Sequence, residues 1–241
     1  IIIVVHDKEH KELWERDLAF FWPNVQVLPF PITERVEFTT VARSLEGQGA
    51  QMRALSMLAW NRPVVVLATI EEATQYVVSP QYVISQSVHL EVSQSIERDE
   101  LLEKLVKIGY ERVDQVEQRG HFSVRGDIFD IFPVNSDDPI RMEFFGDEID
   151  TMRHFSVDTQ RSIETVDAYT VTPFFLTSDD ADSTLLSYAK DGLIIYDEPV
   201  RIQEALKKFL KEDATHRKQH CEWSELQRSV DAKIEVAFTF M

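Results

Sequence analysis

The chain has 241 residues and a mass of 28.0 kDa, room for one to two domains, and its 44% hydrophobic and 28% charged residues exclude a disordered chain. With 25 Lys and Arg against 42 Asp and Glu the net charge is −17, a surface that repels phosphate and argues against an unaided grip on nucleic acid. The one cysteine, Cys221, excludes an internal disulfide and fits a reducing, cytoplasmic compartment; apolar runs of about five residues are too short for a membrane span, and a start at Ile1 without Met or leader is expected of an excised fragment.

Ile1–Val5 is a short β-branched run suited to a strand covered on both faces. Asp7 is placed to cap a helix whose Leu13, Trp14, Leu18 and Phe21 recur at helical spacing, and Pro23 stops it. Val25–Leu28 reads as a strand, broken by Pro29-Phe30-Pro31. Met52, Leu55, Leu58 and Ala59 mark a second helix, Val64–Ala68 a third strand and Glu71–Val78 a third helix. Strands alternating with helices predict a layered α/β domain with a mostly parallel sheet.

After Pro80 the pattern changes. Val88–Val92 alternates, and Leu101, Leu102, Leu105 and Ile108 line a short helix ended by Gly109. Alternating stretches follow at Arg112–Gln118, His121–Phe132, Ile140–Phe145 and Glu148–Phe155. Arg119-Gly120 joins the first pair and Gly146-Asp147 the second, which predicts two β-hairpins. From about Pro173 the α/β pattern returns, with a strand at Gly192–Tyr196 and a helix carrying Ile202, Leu206, Phe209 and Leu210. The fold expected is therefore an α/β domain split by an inserted antiparallel α+β domain, with boundaries at 1–86, 87–172 and 173–241.

None of the seven glycines forms a phosphate-binding loop, and a GxGxxG turn is also absent, so no nucleotide cofactor is expected. Asp197-Glu198 at a strand end looks like the acid pair that holds magnesium in nucleotide hydrolases, but reads as vestigial without that loop. His216, His220 and Cys221, with Glu222, have a spacing that could bind zinc, yet they lie in a charged segment that reads as a solvated helix, so no metal site is expected. No nucleophile-elbow sequence supports a hydrolase triad, and no catalytic residue is assigned. Alternation puts Ile140, Met142 and Phe144 on one face of a strand and Arg141, Glu143 and Phe145 on the other; upstream it turns Phe122 and Val124 inward and His121, Ser123 and Arg125 outward. Gly126 is expected to permit a bulge or a close backbone approach. Outward arginine with a large aromatic is the composition of protein-binding hot spots, set against the plainer reading of a solvated face with a stray Phe.

Residues Gly109–Val116, Gly120–Pro133, Ile140–Asp150 and Phe155–Ser162 resemble the inserted domain shared by the excision-repair protein UvrB and the bacterial transcription-repair coupling factors. Leu28-Pro29-Phe30-Pro31 with Glu34 is similar to the turn of the coupling factors, and Thr69–Val83 leaves no room for the long DNA-gripping hairpin of UvrB. The resemblance implies a degenerate helicase-type α/β domain, Asp197 and Glu198 being its remnant of the helicase acid pair. It implies a non-catalytic module that recruits the damage-recognition protein UvrA to stalled RNA polymerase, with Arg125, Arg141 and Phe145 as contact positions. RNA polymerase and DNA would be partners through later domains of such a protein, and no membrane is implied. Ser123 stands where UvrB has an arginine. The rival reading is a fragment of a nucleotide-dependent DNA-processing helicase of UvrB type, which a phosphate loop upstream of Ile1 would revive.

Overall fold

The computed structural model describes residues 1–33, 41–174, 181–212, 216–228, 230 and 234–239, with side chains from residue 47 in the second helix and from residue 217 onward in the segment that begins at 216. Glu34, invoked in the resemblance, lies outside the described residues. The chain divides into two units, Ile1–Tyr82 with Thr177–Met241, and Val83–Leu176.

The first unit opens with β1 (Ile2–Val5), α1 (Lys8–Phe21), β2 (Val27–Pro29), α2 (Val41–Ala59), β3 (Val65–Thr69) and α3 (Ile70–Thr74), and α4 (Pro80–Gln86) leads out of it. The second unit holds β4 (Val88–Glu91), α5 (Arg98–Lys107), β5 (Glu111–Arg112), β6 (His121–Arg125), β7 (Ile128–Ile131), β8 (Ile140–Phe145), β9 (Glu148–Phe155), β10 (Ser162–Thr165) and β11 (Ala168–Val171). The chain then completes the first unit with β12 (Leu193–Asp197), α6 (Pro199–Glu212), α7 (His216–Gln219), α8 (Trp223–Arg228) and β13 (Ile234–Phe238). The protein is thus a mixed α/β structure with several sheets.

The sheet of the first unit is parallel throughout, in the order β13-β12-β1-β3-β2. β1 and β3 are buried along their whole length, as their unbroken apolar sequence requires. Asp7 caps α1 by accepting the His10 backbone N–H. Trp14 and Leu18 pack against Ile3, Val5, Val65 and Leu67, whereas Leu13 and Phe21, expected on the same helix face, are exposed. Lys11 is buried beneath the helix and donates to Glu72 Oε2 at 2.6 Å. The helix expected over Glu71–Val78 is only α3: Gln75 turns extended and Val77 pairs with Ser183 instead. α4 and β13 carried no sequence expectation; β13 is largely exposed and lacks the apolar signal of a buried strand. Among the described residues, no helix is long and apolar enough to cross a membrane.

In the second unit a six-stranded sheet runs β10-β9-β8-β7-β6-β5, and β4 pairs separately with β11. α5 ends as expected: Gly109 takes φ +95, its N–H reaches Val106 O, and the Tyr110 N–H reaches Leu105 O. Leu101, Leu105, Phe122, Phe129, Met142 and Phe144 share one core. The hairpin of β8 and β9 about Gly146-Asp147 has the expected bounds. The hairpin expected about Arg119-Gly120 does not form. β5 is two residues long and pairs parallel to β6, Glu111 beside His121, so no tight turn can join them. Gly120 serves a different need: its φ is +90, and a Cβ there would stand 2.8 Å from the Phe174 ring. Nor is His121–Phe132 one stretch. Gly126-Asp127 turns the chain between β6 and β7, with φ +61 at the glycine, so Gly126 makes a hairpin turn rather than a bulge or a close approach.

Candidate functional site

Strands β6, β7, β8 and β9 are antiparallel neighbours, so a residue on one phase of each shares the sheet face turned away from the core. On β8, Ile140, Met142 and Phe144 are buried while Arg141, Glu143 and Phe145 take the opposite face. Phe145 closes that row beside the Gly146 turn with 84% of its surface exposed. About 13 Å of strand separates it from Arg141.

The register brings Asp130 of β7 directly opposite Arg141 of β8 and opposite Ser123 of β6. Asp130 is covered, its side chain 2% exposed, and both of its oxygens are engaged by arginine. Arg141 Nε donates to Oδ1 at 2.6 Å and its Nη2 to Oδ2 at 2.8 Å, a bidentate pair. Arg125 Nη2 donates to the same Oδ2 at 3.0 Å. The Arg141 guanidinium also lies 4.4 Å over the Phe155 ring and donates to Gln160 Oε1 at 3.0 Å. The hydrogen bonds to Asp130, and then its charge, raise the pKa of Arg141 above the usual arginine range, so this cation is fixed. Beyond Arg141, Glu143 accepts from Arg153, which stands directly across from Arg141 on β9. Glu148 of β9 stands opposite Phe145, so the face carries Arg125, Arg141 and Arg153 against Asp130, Glu143 and Glu148 and is balanced in charge. The unit's segment from Ser87 to Thr172 has 9 Lys and Arg against 19 Asp and Glu, a charge of −10.

These contacts separate residues that sequence patterning treats alike. Arg125, its side chain 51% exposed, and Phe145 present themselves to solvent; Arg141, 14% exposed, has its fork engaged within the sheet and does not offer it to a partner as the alternation alone suggests. Ser123 belongs to the outward phase of β6 but does not face solvent. The segment after β5 covers it, and its hydroxyl donates to Asp114 O at 2.9 Å. Opposite the patch, Arg98 fixes the β6–β7 turn through Gly126 O and Asp127 Oδ1, and its guanidinium lies 5.8 Å over Phe144. Asp130 was not among the residues singled out from sequence. Its signal is there all the same: in Ile128–Ile131 an acid takes the outward phase, between two strands that each carry an outward arginine.

The other candidates lie in the first unit. Asp197 is buried and its Oδ2 accepts from Trp14 Nε1 at 2.9 Å. Glu198 holds φ +62 and precedes the first residue of α6, with Arg201 at 4.0 Å and the Ile202 N–H bonded to its carbonyl. The His216 side chain is outside the described residues. His220 is not on a solvated helix face: it is buried, edge-on to Phe209 at 4.9 Å, with Nδ1 3.4 Å from the Thr74 hydroxyl. Cys221 is buried beside it, and burial, reinforced by Glu225, pushes its thiol up to about 12.

Residues 88–175 match the family model of the UvrB interaction domain. The transcription-repair-coupling factor of Bacillus subtilis (strain 168) is 31% identical over 173 residues, which cover 72% of this chain and 15% of that protein. The transcription-repair-coupling factor of Staphylococcus aureus (strain USA300) is 29% identical over 219 residues, 88% of this chain and 18% of that protein. The chain thus spans less than a fifth of the length of these relatives.

Proposed function

For a chain that belongs to the transcription-repair-coupling factor family, as its UvrB-like N-terminal region, we propose the role of a non-catalytic docking module that recruits UvrA. The observation that carries this reading is an 84%-exposed Phe145 on the same sheet face as a half-exposed Arg125, within the segment that matches the UvrB interaction domain. An exposed aromatic costs solvation in the free protein and is the residue type whose burial contributes most at an interface. Arg125 would add a charge-assisted bond to a carboxylate of the partner. Asp130 and Arg141 are the platform: the buried carboxylate holds both guanidiniums.

No chemistry is assigned to the first unit, which we read as a degenerate helicase-type α/β domain interrupted by the docking domain. Asp197 supports that reading, because one of its oxygens already accepts from the Trp14 indole. RNA polymerase and DNA would be contacted by other parts of a coupling factor. UvrA titrated onto the labelled chain should bind at one to one, and steady-state ATP hydrolysis by the chain alone should stay at background. Failure to bind UvrA would sink the docking role. Turnover that Asp197→Asn abolishes would instead favour the helicase reading.

A further inference from the structure

We propose that His6, Asp7 and His10 form a binding site for a divalent transition-metal ion of the zinc type, with Asp197 as the outer partner of His6. β1 and β12 are parallel neighbours, Val4 beside Tyr196, so His6 and Asp7 leave the sheet at the same end as Asp197. β1 connects toward β3 and β2 whereas β12 leads on to β13, and ligands of open α/β sheets bind where the connections part in this way.

The cap of α1 builds the donor set. Asp7, as the capping residue, holds Oδ1 on the His10 backbone N–H, which brings the His10 ring back over the carboxylate. His10 Nδ1 lies 2.9 Å from Asp7 Oδ1, and His6 Nε2 lies 3.1 Å from Oδ2 on the other side. The two ring centroids are 4.0 Å apart, and the three ligand atoms all lie within 4.8 Å of one another. In a tetrahedral zinc site, bonds of roughly 2.0–2.1 Å place ligand atoms about 3.3 Å apart, so small rotations of side chains already gathered would close this set. Two imidazoles and one carboxylate suit Zn²⁺, Co²⁺ or Ni²⁺ rather than Mg²⁺ or Ca²⁺.

Two buried atoms point to the same ion. Among the described residues, neither His6 Nδ1 nor Asp197 Oδ1 has a hydrogen-bond partner. Asp197 is 4% exposed and closes β12, the parallel neighbour of the strand that His6 follows. With the Nε2 proton of His6 directed at Asp7, Nδ1 is a bare acceptor, and so is Asp197 Oδ1. A metal on Nε2 reverses this. The ring proton moves to Nδ1, which becomes a donor, and Asp197 becomes its acceptor, the carboxylate–histidine–metal arrangement found behind metal-bound histidines. His10 shifts its proton from Nδ1 to Nε2 in the same way, so no proton need leave. In sequence Asp7 reads only as a helix cap, because the first histidine and the acid precede the helix instead of sharing one of its faces as in HExxH.

The test is calorimetric titration of the 241-residue chain with Zn²⁺, with Co²⁺ absorption reporting coordination. Uptake at one to one is expected, with a Kd on the order of micromolar, unaffected by excess Mg²⁺. His10→Ala, at a half-exposed position, should weaken binding more than about tenfold, and Asp197→Asn, which keeps an acceptor for Trp14, by about tenfold. Melting without metal certifies that each variant is folded. Absence of one-to-one uptake, or equal affinity in His10→Ala, overturns the site; normal affinity in Asp197→Asn overturns the role given to Asp197.

Discussion

Arg125 and Arg141 have the same residue type and the same outward strand phase, yet the structure gives them different work. Arg141 shares a bidentate pair with a buried carboxylate and stacks on Phe155. Removing it leaves Asp130 covered and supported only by Arg125, so Arg141→Ala is expected to cost about 3 kcal/mol of stability. Arg125→Ala removes one hydrogen bond from a half-exposed side chain and should cost about 0.5 kcal/mol. Urea denaturation of both variants checks the difference; equal costs would mean that Asp130 does not hold Arg141 as described. Loss of UvrA binding in Arg141→Ala would therefore report a disturbed platform as much as a lost contact, whereas the same loss in Arg125→Ala would report the contact. Cys221 provides a separate check at this scale. With its thiol raised to about 12 by burial, it should resist a disulfide reagent at pH 8 until the first unit opens, and rapid modification of the native chain would contradict its placement.

At the scale of elements, β8 is where pattern and structure agree most closely, and the reason is physical. A strand with one buried face must alternate, so β8 could be read residue by residue; on β9 a bulge at Asp150 shifts the register and breaks the alternation. Phe144→Ala is accordingly expected to cost about 3–5 kcal/mol, since Phe144 packs in the core against Phe129. Gly120→Ala should also destabilise, by about 1–3 kcal/mol, through its φ of +90 and the approach to Phe174. Thermal melting of the two variants measures both effects, and a wild-type melting temperature for Gly120→Ala would rule out the close approach. What could not be read was what depends on distant parts of the chain. Arg112–Gln118 carries strand-like residues, but its parallel pairing with β6 and its role as a cover for Ser123 are tertiary. The same holds for Asp130: its outward phase is visible in sequence, but its pairing with two arginines needs the β6–β7–β8 register. The asymmetry between Arg125 and Arg141 follows only from that pairing.

For the whole molecule, the charge of −17 dominates. Duplex DNA titrated against the chain should show no tight, salt-sensitive binding, because phosphate contacts would have to overcome that field. The β6–β9 face is by contrast balanced, three arginines against three acids, so exposed Phe145 and Arg125 rather than net charge would carry docking there. Phe145 is the residue that separates docking from folding, because it is exposed where Phe144 beside it is buried. The most direct measurement pairs the melting temperature with UvrA affinity for the wild type and Phe145→Ala. The docking role predicts an unchanged melting temperature and an affinity about thirtyfold weaker, equivalent to about 2 kcal/mol. A variant that folds and binds UvrA as tightly as the wild type would contradict it.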